Sequence, residues 1–134
     1  MDREALISKL HDMLAATGPE LVAAWLYGSF ARGTQRKDSD VDIALLFREP
    51  PGVELDNPAS RLEIALEEEL GREVQAVVAN SAPPDLLHCV FRDGVLLLDR
   101  DRRFRILFEV RARKEFFDMQ PIFELYRRSR PTSS

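Results

Sequence analysis

Apolar and polar positions along the chain change period several times, and the changes mark its elements. From Asp2 to Ala16, Ala5, Leu6, Leu10, Met13 and Leu14 return at helical spacing and predict an amphipathic helix, stopped by Thr17-Gly18-Pro19. Leu21–Tyr27 is apolar almost throughout, the pattern of a strand in the middle of a sheet. Ser29–Gly33 predicts a short helical turn carrying Arg32, and Thr34–Ser39 a polar, exposed loop. Val41–Phe47 is rich in branched and aromatic residues and predicts a second buried strand. Arg48–Gly52 reads as a loop, after which Asn57-Pro58 forms an N-cap followed by a first-turn proline. That helix is expected to reach about Leu70, with Leu62, Ile64, Ala65 and Leu66 as its apolar face and Gly71 as its stop.

Glu73–Val78 predicts a third strand, and Pro83-Pro84 opens a short helix through Leu86, Leu87 and Val90. Phe91-Arg92-Asp93-Gly94 reads as a turn and Val95–Leu98 as a fourth strand. A long helix is expected from Asp101 to about Phe117, with Phe104, Leu107, Phe108 and Val110 as its buried stripe. Pro121 is expected to open a final helix ending near Tyr126. Residues 1–128 read as a single domain and 129–134 as a disordered tail. His11 and the run Glu67-Glu68-Glu69 are expected on solvated helix faces, and His88 and Cys89 as packing residues.

Composition narrows the picture only slightly. A chain of 134 residues, 45% hydrophobic and 31% charged, can build one core without staples. The net charge of −4 offers no global attraction for nucleic acid or an acidic membrane. The single cysteine, Cys89, excludes an internal disulfide and fits a reducing compartment. No apolar run is long enough to span a membrane and MDREALISKL lacks a secretory apolar region, so a cytoplasmic location is expected.

The candidate chemistry lies between Leu26 and Phe47, LYGSFARGTQRKDSDVDIALLF. On a strand, Asp40 and Asp42 project to one side, where two carboxylates would repel each other unless a cation sat between them. Gly28-Ser29 supplies what a phosphate needs: a glycine that permits close backbone approach, and a hydroxyl. A phosphate cradle beside metal-holding carboxylates suits a nucleotide.

Gly28-Ser29, ten intervening residues and then Asp40-Val41-Asp42 resembles the signature of nucleotidyltransferases with the polymerase-β-like fold. The fuller text, GSFARG followed by DSDVDIALL, is most similar to the minimal nucleotidyltransferases (MNT), many of which are antitoxins of HEPN-domain toxins. The resemblance implies an α/β (α+β) fold, a short mixed sheet with packed helices. It also implies transfer of AMP from ATP to a hydroxyl, a tyrosine of a HEPN toxin, within a hetero-oligomer. Asp40 and Asp42 would be catalytic and bind Mg²⁺, while Gly28, Ser29 and Arg32 would bind the nucleotide. No membrane and no direct nucleic-acid partner is expected.

One position departs from that family. Active members carry a third carboxylate on the third strand, where Gln75 stands here. Glutamine offers a carbonyl oxygen but no base. Glu73 shares its strand parity, about 7 Å away, and is a possible substitute. The alternative reading is therefore a degenerate nucleotidyltransferase that neutralises its partner by binding alone. Transfer to a small molecule such as an aminoglycoside would need a substrate domain for which the chain is too short. Finally, Arg100, Arg102, Arg103, Arg105, Arg111, Arg113 and Lys114 form a basic cluster, either a solvated face or a surface for an acidic partner.

Overall fold

The computed structural model describes residues 2–52, 54 and 57–129. Its centre is β1 (Leu21–Tyr27), buried from end to end except at Tyr27 because helices cover both faces of the sheet. Beside it runs β2 (Val41–Phe47), antiparallel, with Tyr27 opposite Asp42 and Leu26 opposite Ile43. On its other side β4 (Val95–Asp99) is also antiparallel, and β3 (Val74–Val78) lies parallel to β2. The spatial order is β3-β2-β1-β4, a mixed four-stranded sheet.

Strand alternation divides the core in two. Val41, Ile43, Leu45 and Phe47 pack with Leu6, Leu10 and Leu14 of α1 (Arg3–Ala15) and with Leu66 of α3 (Pro58–Leu70). Ala44, Leu46 and Trp25 face the opposite layer, where they meet Leu87 and Val90 of α4 (Pro84–Asp93) and Ala112 of α5 (Arg102–Ser129). A four-residue helix, α2 (Ser29–Arg32), joins β1 to the loop before β2. Asn57 caps α3 by accepting from Ser60 N at 3.0 Å, and Gly71 ends it in the left-handed region at φ 66°.

Several expectations are corrected. Ile64, expected on the buried face of α3, is 56% exposed, and Ala65 is exposed too; Ala59 and Leu66 take the core positions. Ala5 likewise points outward from α1. The segment read as a turn at Phe91–Asp93 is the last turn of α4, and the reversal falls on Gly94, where a Cβ would strike Val90 O. Pro121 does not split the last helix. It lies on the exposed side of α5, where water can serve the Phe117 carbonyl that proline's missing N–H leaves without a helical donor. Leu107 and Val110 of the expected buried stripe are 59% and 56% exposed, leaving Phe104, Phe108 and Ala112 to face the sheet. Of the expected tail, Ser129 closes α5 and 130–134 lie outside the described residues.

Side chains cover part of both rims of the sheet. On β3, Val74 N and Ala76 N donate to the carboxylates of Glu67 and Glu63 at 3.2 and 2.8 Å. The glutamate run is therefore not a uniformly solvated face: Glu67 serves the strand, Glu69 pairs with Lys9 at 3.3 Å, and Glu68 is exposed. On β4, His11 Nδ1 lies 2.7 Å from Leu97 O, so its ring nitrogen is the donor. Asn80, in a 3-10 turn after β3, bridges Phe47 through both its amide atoms at 2.9 and 2.8 Å.

Arg100 leaves the basic cluster altogether. It reaches back 79 to 86 residues to donate to Leu21 O, Leu14 O, Ala15 O and Thr17 O, closing the carbonyl end of α1 and the turn after it. Arg100→Ala is expected to cost about 1–2 kcal/mol and lower the thermal midpoint by roughly 3–8 °C. Arg102→Ala, on the exposed start of α5, is expected to change stability by less than about 0.5 kcal/mol. Differential scanning calorimetry of the pair checks this. Arg105 is also withdrawn from the exposed face: its Nη1 bonds Glu109 at 2.7 Å and its Nε lies 3.0 Å from Asp99, off the line of a hydrogen bond.

Candidate active site

Where β1 ends, the chain must reverse at once into α2. Gly28 makes the reversal at φ 77° and ψ −155°, a conformation that residues with a Cβ rarely adopt. A Cβ there would also strike the Asp42 carboxylate, so the turn and the carboxylate are in contact only because the residue is glycine. Asp42 lies opposite Tyr27 on β1 and opposite Gln75 on β3. By strand alternation all three belong to the face of the sheet that carries α4 and α5. Asp40 precedes β2 by one residue, and Gln75 Nε2 donates a long hydrogen bond to its Oδ2 at 3.4 Å. Gly28, Asp40, Asp42 and Gln75 thus converge at one end of the sheet.

The electrostatics follow from that placement. Burial pushes the Asp42 carboxyl above the ordinary carboxylate value, the Asp40 charge adds to the rise, and the Arg32 guanidinium opposes it. Tyr27 is raised as well, first by burial and then by the negative charge of Asp42. The Arg32 side chain is exposed and, among the described residues, makes no hydrogen bond or ion pair. Two crowded carboxylates, with a guanidinium facing them, form a site short of positive charge.

The loop between Gly28-Ser29 and Asp40 is held from outside. Arg72 Nη1 donates to Ser39 O at 2.9 Å and Nη2 to Lys37 O at 3.4 Å, while its guanidinium lies 5.1 Å from the Phe30 ring centre. Arg3 grips α2 from α1, donating to Phe30 O at 2.9 Å and Ala31 O at 3.2 Å. Ser39 Oγ accepts from Arg36 N at 2.6 Å, and Thr34 N donates to Ser29 O at 3.0 Å. Arg72 therefore fixes the residue before Asp40 and the helix after Gly28 with one side chain. Sequence reading missed Arg3, Arg72 and Tyr27. Only the parallel pairing of β2 with β3, which brings Val41 beside Val74, would have pointed to Arg72.

Among the described residues no group of three or more His, Cys, Asp or Glu side chains could hold a metal. Two carboxylates still suit Mg²⁺, which typically takes one or two protein carboxylates and completes its shell with water and substrate phosphates. A half-buried carboxylate pair with only the Arg32 charge opposing it is a donor set that such an ion fits. His88 is a packing residue, stacked on Phe116 at 4.0 Å with 3° between the rings, whereas Cys89 is exposed rather than packed. No helix among the described residues is long and apolar enough to cross a membrane.

Comparison with known proteins agrees with this geometry. The family described as "Polymerase beta, Nucleotidyltransferase" matches residues 8–103, a span that contains all four converging residues. The protein adenylyltransferase MntA of Shewanella oneidensis is 36% identical over 89 residues, 65% of this chain and 60% of that protein. A Methanocaldococcus jannaschii protein, named as a candidate protein adenylyltransferase, is 39% identical over 75 residues, 56% of this chain and 77% of its own. Among solved structures, a chain of a toxin–antitoxin crystal structure with AMP-PNP superposes with a TM-score of 0.75 at 28% identity, covering 90% of this chain and 94% of that one. Fold, convergent site and matched span agree: the chain belongs to the polymerase-β nucleotidyltransferase family.

Proposed function

We propose that this chain is an antitoxin that transfers AMP from ATP to a tyrosine hydroxyl of a HEPN toxin. The observation that carries the reading is the contact between the Gly28 turn and Asp42, with Asp40 alongside: a phosphate cradle and a carboxylate pair in one place. The relatives support it, since MntA is named a protein adenylyltransferase and a 28%-identical structure was solved with AMP-PNP. Another 28%-identical neighbour is a chain of an MntA toxin–antitoxin complex, which supports a toxin as the acceptor.

In this reading the Gly28-Ser29 turn holds the β- and γ-phosphates, the backbone approaching closely because no Cβ intervenes. Asp40 and Asp42 hold Mg²⁺, which shields the triphosphate when bound. Arg32 sits on the same side and offsets phosphate charge as it develops. The tyrosine oxygen bonds to the α-phosphorus, the bond to the β-phosphate oxygen breaks, pyrophosphate leaves, and the hydroxyl proton passes to solvent. Arg72 and Arg3 contribute by keeping the turn and the carboxylates in register, positioning being most of what phosphoryl-type transfer asks of a protein.

Gln75 favours a second reading. With an amide beside Asp40 and no carboxylate, the site has lost a base and a charged ligand, so the chain would hold a nucleotide and restrain its partner with little turnover. One experiment addresses both readings: α-labelled ATP, the purified cognate toxin, and Mg²⁺ present or absent. Label on the toxin only with Mg²⁺ is expected from the first reading. ATP binding that is equally tight without the metal would remove the assigned site from both.

A further inference from the structure

Helix α5 is apolar on two sides. Phe104, Phe108 and Ala112 turn toward the sheet and α4. On the other side Leu107, Val110, Phe117 and Leu125 stand 59%, 56%, 78% and 65% exposed. Positions 107, 110, 114, 117, 121 and 125 step by three or four residues, the spacing of a seam made for another helix. A surface helix that serves only its own core has one apolar stripe, so the second needs an occupant.

The charge around the seam is predominantly positive, although Glu115 and Asp118 are exposed on the same helix. Lys114 stands in the middle of it, and Arg103, Arg111 and Arg113 are exposed around it; opposing them is Asp118, while Glu124 is paired with Arg128 at 3.0 Å. A second copy of this chain is a poor fit. Side by side in register, two copies would set Lys114 against Lys114 in an apolar strip, and two predominantly basic faces would repel. Next to the seam, Phe117 and Arg113 also line a hollow of about 460 Å³ between α4 and α5, walled by the stacked His88 and Phe116. Such a hollow takes one large apolar side chain, the kind of anchor on which interfaces depend.

Resting on the partner reading above, we infer that the outer face of α5 seats an acidic amphipathic helix of the HEPN toxin, with one bulky side chain entering the α4–α5 hollow. This replaces the arginine face considered from sequence: the apolar seam supplies the contact and the basic residues select the partner's charge. Arg100 and Arg105 take no part, being committed within the fold.

The test is calorimetric titration of the purified cognate toxin into the full chain, the Leu107→Glu/Phe117→Glu double variant, Lys114→Glu and an Ile64→Glu control. Ile64 is 56% exposed on the opposite layer. Affinity is expected to fall on the order of 100-fold or more in the double variant and about tenfold in Lys114→Glu. Ile64→Glu should bind as the wild type does, and AMP-PNP affinity and thermal midpoint should be unchanged in all. Equal toxin binding by wild type and double variant would overturn the surface while leaving the proposed reaction standing. Failure of the wild type to bind toxin would overturn the occupant together with the partner reading. Sedimentation showing a wild-type dimer that the double variant dissolves would give the face to a second copy instead.

Discussion

Asparagine at both Asp40 and Asp42 is expected to reduce AMP transfer at least about 10³-fold while leaving the protein as stable as before, or more so. The loss follows from geometry. Asp42 lies against the Gly28 turn with Asp40 beside it, and an amide keeps the shape of each without its charge. The gain in stability follows from the direction of the Asp42 shift. Burial, and then Asp40, raise that carboxyl above its unfolded value, so the folded chain prefers it protonated. The ionised group therefore penalises the fold at neutral pH, and the penalty disappears as pH falls through the raised value. Because the group is only half-buried and water screens it, neutralising it by mutation should leave the thermal midpoint in metal-free buffer unchanged or slightly higher. Mg²⁺ should raise the midpoint of the wild type and not that of the variant. A variant that is both inactive and clearly less stable would mean that the two aspartates support the fold rather than the site.

The second large effect is a gain. Gln75→Asp is expected to raise transfer by about 10²–10⁴-fold, the usual worth of a placed base. Gln75 lies opposite Asp42 in the parallel pairing of β2 with β3, and its amide already reaches Asp40, so a carboxylate there would face the same space. Because aspartate is one methylene shorter, Gln75→Glu is the companion that keeps the reach. The readout is label transfer from α-labelled ATP to purified toxin. Brisk wild-type transfer abolished by Glu73→Gln would identify Glu73, whose carbonyl pairs with Val41 N at 2.9 Å, as the substitute. Brisk transfer indifferent to every one of these changes would mean that two aspartates suffice.

Much of this was legible before the coordinates. The strands at Leu21–Tyr27 and Val41–Phe47 appear where predicted because a run buried on both faces leaves a nearly continuous apolar text, broken in the second only by Asp42. Asn57-Pro58 and Gly71 mark α3 because caps are local chemistry. Strand parity puts Asp40 and Asp42 on one side, and the family resemblance implies that the Gly28 turn and Gln75 lie beside them, as the structure has it. The misses share a different cause. Leu107 and Val110 were assigned inward because periodicity reports that a face is apolar, not which neighbour covers it. Arg72, Glu63 and Arg100 act on backbone atoms 33, 13 and as many as 86 residues away, and no local pattern announces such a partner. Pro121 was read as a break because the cost of a proline is known locally, whereas the continuity of α5 is decided by the whole helix.

The partial side-chain cover on the rims of the sheet bears on how the molecule behaves at high concentration. Unpaired strand edges are where sheets add further strands and grow into fibres. Here Glu63 and Glu67 occupy donors on β3, and His11 occupies a carbonyl on β4. What the molecule leaves sticky is a helix, whose backbone is already satisfied and whose contacts are side chains alone. Crowding should therefore produce clusters that dissolve on dilution, not threads that persist.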